Sequence, residues 1–446
     1  MKKALFSTAA IVALAASMQA AETASEEGLK VDGEIRSFYI SRDVESEDTG
    51  VNGDYNRNSL AIGGNLGVTK KCDIEGLSLA ARFYTTQPLG GQQPNDSTKD
   101  PRMDLTLFNS DGEGYSILGE AYVNYAAGKT NVKVGRQALS TPLAAGDDVR
   151  MLPTLFEAAV VSNSDITNTT LIAAHVGKVA YGTFSNVYTS SINVLNLTGG
   201  YGANHNVGEF QNMGYAAIGE HTNGVDALAA IYHDKDLGLK LQVWDYIATD
   251  ILNAIYAEAN YDLKLGDNKL FVGAQHISEK ETGDNRIEDA TAGTEDKING
   301  SYSAFKLGGT FGPLTASVAT SQTGSDKDAA FNGAIITPWG GMPAYTQGMV
   351  TRHMFFADTK ATKVAATYKE GSLKATFAHV VFDMGKNNSY STDYEWTSTE
   401  EIADIIYMAN KDLMLRYRMN MPHTFYESAT KEVGWTEHRV IVSYKF

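Results

Sequence analysis

Hydrophobic and polar positions alternate with a period of two in segment after segment of this chain. Leu77, Leu79, Ala81 and Phe83 share one parity, while Ala80, Arg82 and Tyr84 share the other. Between 411 and 420, Leu413, Leu415 and Tyr417 alternate with Met414, Arg416 and Arg418. At the end, Val440, Val442, Tyr444 and Phe446 alternate with Arg439, Ile441, Ser443 and Lys445. This spacing puts each set on its own face of a strand. It predicts strands near 30–42, 57–70, 77–87, 115–127, 130–137, 156–164, 168–178, 225–234, 237–248, 252–265, 269–278, 300–311, 313–322, 360–369, 372–384, 400–410, 411–420 and 434–446. That makes about eighteen, an even number that brings both chain ends to one side of a closed sheet. The segment 212–220 alternates almost as well as 225–234 and competes for its place. Tight turns such as Gly128-Lys129, Gly266-Asp267-Asn268 and Gly371-Ser372 are interleaved with long connections at 88–114, 138–155, 179–224, 279–299 and 323–359.

Alternation alone fits a soluble sandwich, with one face in the core and one in water. Two features favour a transmembrane antiparallel β-barrel with lipid outside and water inside. Several inner-face positions carry Arg or Lys, which a packed core would bury at high cost. The connections also alternate short and long, as periplasmic turns and extracellular loops do. In hydrocarbon an open edge leaves N–H and C=O groups unpaired, so the last strand is expected to pair with the first. Phe446, with Tyr444 two residues before it, then sits at the periplasmic aromatic rim and matches the signal read by the barrel-assembly machinery.

Composition refines the picture. Lys2 and Lys3 precede an apolar run from Ala4 to Ala16, followed by small residues up to Ala20, which reads as a cleaved secretory signal over 1–20. The remainder, 21–446, shows no linker and forms one barrel domain. After the signal no apolar run is long enough for a spanning helix. The formal net charge of −16 excludes nucleic-acid binding by phosphate neutralisation. A single cysteine, Cys72, excludes a disulfide framework and a cysteine zinc site.

Three stretches carry a resemblance. Val134-Gly135-Arg136-Gln137, then Thr141-Pro142-Leu143, Asp148-Val149-Arg150-Met151-Leu152-Pro153 and Phe156-Glu157-Ala158, resembles the third-loop region of OprD-type porins. Gly33 to Asp43, with Arg36, Tyr39 and Ser41-Arg42-Asp43, resembles that family's first strand, and Leu415-Arg416-Tyr417-Arg418 resembles a rung of its basic ladder. The layout is also similar to the major outer membrane porins of epsilon-class proteobacteria. The resemblance implies an eighteen-stranded barrel whose inward third loop forms a constriction, with lumenal arginines facing acidic and carbonyl groups on loops three and seven. It implies passage of small hydrophilic solutes such as amino acids, short peptides or small carboxylates, and it raises the expectation of a homotrimer. The segments 179–224 and 323–359 show no family motif.

The small residues of 138–155, among them Ala138, Ser140, Ala144, Ala145 and Gly146, suit a segment lying against the inner wall. Asp147 and Asp148 are then expected to project into the channel, with Arg150 near them. Arg36, Arg82, Arg416, Arg418, Lys363 and Lys374 have inner-face parity and form the expected basic side. Opposed charge across a narrow water path makes a transverse field that orients zwitterions. The competing reading of these residues is ordinary solvated strand and loop positions. The acidic stretches 43–54 and 284–296 read as solvated loops, with divalent bridging to lipopolysaccharide as the alternative. Ser301-Tyr302-Ser303 reads as polar strand entry, with hydroxyl contacts to solute as the alternative.

No cofactor or metal motif is present. Gly128-Lys129-Thr130 mimics a phosphate loop, but Val123 stands where its first glycine belongs. No zinc helix and no nucleophile elbow occurs. His175, His276 and His379 are scattered in strands. The sequence therefore predicts an outer-membrane channel and no enzyme. Two other classes stay open: a barrel enzyme, to be sought by hydrolytic assays, and a loop-displaying adhesion or structural barrel, which would be silent in a bilayer.

Overall fold

The computed structural model describes residues 28–48, 55–89, 103–146, 150–184, 191–204, 206–287, 297–391, 393–428 and 431–446. The expected signal at 1–20, the pair Asp147 and Asp148, and most of the acidic loops at 43–54 and 284–296 lie outside them.

Among the described residues eighteen long antiparallel strands form one closed sheet. In chain order they are β1 (Leu29–Asp48), β2 (Tyr55–Lys71), β3 (Leu77–Pro88), β4 (Tyr115–Ala127), β5 (Thr130–Gln137), β6 (Leu155–Asn163), β7 (Thr169–Ala180), β8 (Val225–Asp234) and β9 (Leu239–Ala248). The second half comprises β10 (Leu252–Leu265), β11 (Asn268–Glu281), β12 (Asn299–Phe311), β13 (Leu314–Thr323), β14 (Thr359–Glu370), β15 (Leu373–Met384), β16 (Trp396–Met408), β17 (Leu413–His423) and β18 (Lys431–Lys445). Each long strand pairs with its neighbour, and β18 returns to β1 with Arg36 opposite Ser443. Gly33 and Phe446 exchange both backbone hydrogen bonds, at 3.0 and 3.1 Å, so the final residue seals the seam.

The expected strands all appear, with shifted ends. The one expected at 400–410 starts at Trp396, and the one expected at 411–420 runs on to His423. The competitor at 212–220 is instead a helix, Met213–Ile218, because Asn212 caps it by accepting from the Gly214 and Tyr215 amides.

The alternation separates the two faces as expected. Leu79, Phe83, Leu415 and Val440 are exposed on the outer wall, whereas Arg418, Arg439 and Ile441 of the opposite parity are buried inside. Closure demands a close approach at Gly64, whose φ is +131° and where a Cβ would lie 1.8 Å from the Glu34 carbonyl oxygen. Gly64→Val is therefore expected to cost on the order of 3 kcal/mol and to lower the folded yield, read as loss of the heat-modifiable band on a gel.

The upper lumen is partly filled. The described parts of loop three (138–154) and loop four (181–224), together with loop seven (324–358), fold inward and share an apolar core with the wall, including Phe156, Leu197, Met213, Trp244 and Trp339. Two short helices of loop four, Val194–Thr198 and Met213–Ile218, pack there. The Thr337 amide donates to the Leu197 carbonyl at 2.9 Å, and Trp339 Nε1 donates to the Met213 carbonyl at 3.0 Å, tying loop seven to loop four. Between loops three and seven and the wall at Lys363 and Arg418 a cavity is left open.

Candidate functional site

That remaining wall carries the cations. Even-numbered residues of β17 and odd-numbered residues of β14 and β18 point inward, so Arg416, Arg418, Lys363 and Arg439 face the lumen. Arg416 binds Asp404 of β16 through two nitrogens, at 2.7 and 2.5 Å, and Arg418 Nε lies 3.4 Å from the same carboxylate. One aspartate thus braces two arginines, and bidentate geometry fixes the first of them.

Above this rung Lys363 and Arg418 line a cavity of about 440 Å³. Its other walls are Thr141, Pro142 and Gly146 of loop three and Met342, Gln347 and Gly348 of loop seven. The two loops touch: the Ala145 amide donates to the Trp339 carbonyl at 3.3 Å. A Cβ on Gly341 would stand 2.3 Å from the Pro142 carbonyl oxygen, so only glycine permits the approach. Gly341→Leu is expected to displace one loop and change single-channel conductance by about a factor of two, whereas an unchanged step size would show that the contact is not at the narrowest point.

Loop seven is fixed by wall carboxylates and amides. Buried Glu400 of β16 accepts from the amides of Met349, Val350 and Thr351 at 3.1, 3.1 and 3.0 Å. Glu279 of β11 accepts from the Ile336 amide at 2.8 Å. The Gln275 side chain bonds both the Pro343 carbonyl and the Tyr345 amide. Lys363 Nζ donates to the Gln347 carbonyl at 2.6 Å. The wall consumes the loop's amides, and at Gln347 the loop offers a carbonyl to a wall cation.

Lower on the adjacent wall, Arg36 Nη1 donates to the Arg150 carbonyl at 2.5 Å and its other nitrogens reach Glu34 and Ser443. Arg82 bonds Asp32 and Asn65 and lies 3.5 Å from Glu120. Glu120 owes its place to a bulge: Gly119 is the extra residue between the pairs Arg82–Glu120 and Phe83–Leu118, so Leu118 turns outward and Glu120 inward. Lys374 is exposed near the turn at 371–372.

Arg150, expected only to lie near Asp147 and Asp148, is buried. Its side chain is 2 % exposed and does not project into the water path. The guanidinium stacks 5.4 Å from the Phe184 ring and 5.2 Å from the Tyr201 ring. Arg439 lies 4.6 Å from the same Phe184 ring, and Arg352 lies 4.8 Å from Tyr201. Aromatic faces attract these cations, so these contacts fasten loops three, four and seven together. Loop four's part in it has no strand periodicity and left no signal in the sequence. Arg439 and Glu400 had inner-face parity in their strands and were legible on that ground, but no motif marked them.

His353 of loop seven is buried among the rings of Phe356, Phe382, Tyr390, Trp396 and Phe425. Its Nε2–H donates to the Phe425 carbonyl at 2.6 Å, and its ring stacks on Phe356 at 4.8 Å. Burial pushes this imidazole down to about 4 from 6.5, the Phe425 bond opposing. A depressed imidazole contributes stability in full above pH 6.5, and that contribution is lost as pH falls through about 4. Acidification over that window is expected to increase current noise in bilayers, and His353→Phe is expected to flatten the dependence.

Residues 26–312, more than half of the chain, match the family model described as outer membrane porin, OprD family. The chain belongs to that family. Its localisation is accordingly the outer membrane, and its function is that of a water-filled channel for small hydrophilic solutes. Family and fold point to a channel rather than an enzyme. Solved structures agree on the OprD-type barrel. Pseudomonas aeruginosa OccK9 (OpdG) superposes with a TM-score of 0.73 at 16% identity, covering 94% of this chain and 98% of its own. Pseudomonas aeruginosa OpdK with vanillate gives 0.71 at 16%, covering 94% and 99%. Pseudomonas aeruginosa OccK2 (OpdF) in complex with glucuronate gives 0.67 at 15%, covering 94% and 98%. No curated protein sequence matches.

Proposed function

We propose that the selective constriction of this porin is the gap between loops three and seven and the wall formed by β14, β16, β17 and β18, and that it favours small organic carboxylates. One observation carries the reading: Lys363 and Arg418 face both inward loops across one cavity, with Arg416 on the rung below. A carboxylate passing there exchanges water for ammonium and guanidinium donors, which is the charge-assisted class of hydrogen bond. Arg36 and Arg82 continue the basic track towards the periplasm, with Lys374 at its lower end. Asp404 braces the arginines without cancelling them, since one carboxylate serves two cations. Asp147 and Asp148 of loop three, which lie outside the described residues, are the candidates for the acidic side of the field. Two of the similar channels were solved with vanillate and glucuronate, both carboxylates, which accords with this choice. Replacing Arg416 and Arg418 with Gln in planar bilayers is expected to shift the reversal potential towards cations. Unchanged conductance together with unchanged ion selectivity would exclude them from the constriction.

The remaining partners are inferred from the ends and the surface of the chain. The 1–20 segment serves export as a cleaved signal, leaving 21–446 as the barrel, and the strand ending at Phe446 engages the assembly machinery. A trimer rests on family resemblance alone.

A further inference from the structure

Besides the exposed contacts His175–Asp226 and His379–Glu401–His423, the outer wall carries a built cluster on β5, β6 and β7 that brings two basic side chains to one carboxylate. Glu157 Oε2 lies 3.5 Å from Arg136 Nε, and its Oε1 lies 3.2 Å from Lys178 Nζ. A second bulge puts Lys178 there. Glu157 pairs with Lys178 and Ala158 with Val176, so Gly177 is the extra residue, and the lysine that strict alternation would send inward comes out beside Glu157. Val134, Val161 and Leu171 lie exposed below on the same three strands, as lipid-facing residues do. Glu157 stands six residues above the β6 end at Asn163, or about 15 Å for a tilted strand, in the upper part of an apolar band of about 25 Å. Arg136 reaches higher still, its Nη1 donating to the Leu118 carbonyl at 3.3 Å, three residues further up β4 than its register partner Ala121. Phe210 of loop four comes over the rim and stacks on the guanidinium at 4.4 Å.

Hydrocarbon does not solvate such charges, and long cationic side chains reach for the head-group layer above. The carboxylate holds the two cations side by side, yet together they have more donors than it can accept. In the outer leaflet of an outer membrane the anions at that level are phosphates. We propose that Arg136 and Lys178, aligned by Glu157, form a binding site for a phosphate of lipopolysaccharide on the outside of the barrel. The site rests on the outer-membrane location and is independent of what passes through the pore.

The test uses the full-length protein in detergent with three probes: bisphosphorylated, monophosphorylated and dephosphorylated lipid A, with bound lipid counted by native mass spectrometry. The wild-type protein is expected to retain the bisphosphorylated lipid about tenfold better than the dephosphorylated one. Arg136→Gln with Lys178→Gln is expected to remove that preference, while Arg136→Lys keeps most of it. Heat-modifiable mobility verifies folding of each variant. Equal retention of the three lipids by the wild type overturns the proposal whatever the variants do. So does an undiminished preference in the folded double variant. Finding that the face is instead occupied by a second copy of the chain, with self-association lost in the double variant, also overturns it.

Discussion

Glu400→Ala is expected to open the channel. In the native protein this carboxylate accepts three consecutive backbone amides of loop seven, and it is fully buried while doing so. A hydrogen bond to a charged group contributes roughly 1.5–3 kcal/mol, and the amides left behind in a buried site have no replacement acceptor. Loss of the set therefore costs the arm at 349–351 at least about 3 kcal/mol, enough to shift it from one position to many. Gly348 adds to the effect, since a Cβ on it would lie 2.0 Å from the Glu400 carboxylate, which shows how tightly the loop is drawn to the wall. Single-channel conductance is expected to rise about twofold or more, with larger fluctuations, because the loop forms one side of the narrow cavity. Glu400→Gln keeps an acceptor oxygen and is expected to fall between. An alanine variant with native step size and native noise would show that the loop is held by other contacts.

Neutralising the cations that face the cavity is expected to have the second large effect. Lys363→Gln with Arg418→Gln removes two positive charges from one cavity wall while leaving the Asp404–Arg416 pair intact. At a few ångströms each charge is worth about 1 kcal/mol even under water-like screening, so losing two is expected to lower carboxylate flux about thirtyfold. A neutral solute of equal size is expected to pass as before. The glutamine at 363 retains a donor for the Gln347 carbonyl, so loop seven stays in place and the change is electrostatic. Equal losses for charged and neutral solutes would instead indicate a collapsed pore.

The barrel was legible because its rule is simple. One face meets lipid, the other faces inward, and apart from the bulges in β4 and β7 the strands repeat the alternation. The boundaries moved where residues outside the alternation still pair, as at Trp396 and Ser398 of β16. Two bulges were illegible. Gly119 and Gly177 each add one residue and flip the parity after them, which sends Glu120 inward and Lys178 outward. The basic wall was legible by parity at Arg416, Arg418 and Lys363. Of the inward loops, the third was expected from its small residues and the family resemblance, whereas loops four and seven were not, because they pack by shape and by backbone hydrogen bonds, and neither leaves a period. Arg150 shows the difference: its place on loop three was readable, whereas its burial between Phe184 and Tyr201 depends on a loop with no recurring pattern. Segment 212–220 competed with the strand at 225–234 for a related reason, since its alternation is overridden by the Asn212 cap.

The central claim is that a basic gap between two inward loops selects carboxylates. It is tested most directly by swelling of liposomes containing the wild-type protein, with benzoate and benzamide compared as matched solutes. Faster entry of benzoate, with the difference reduced at high salt, is the predicted result. Equal rates, or faster entry of the amide, would contradict the claim.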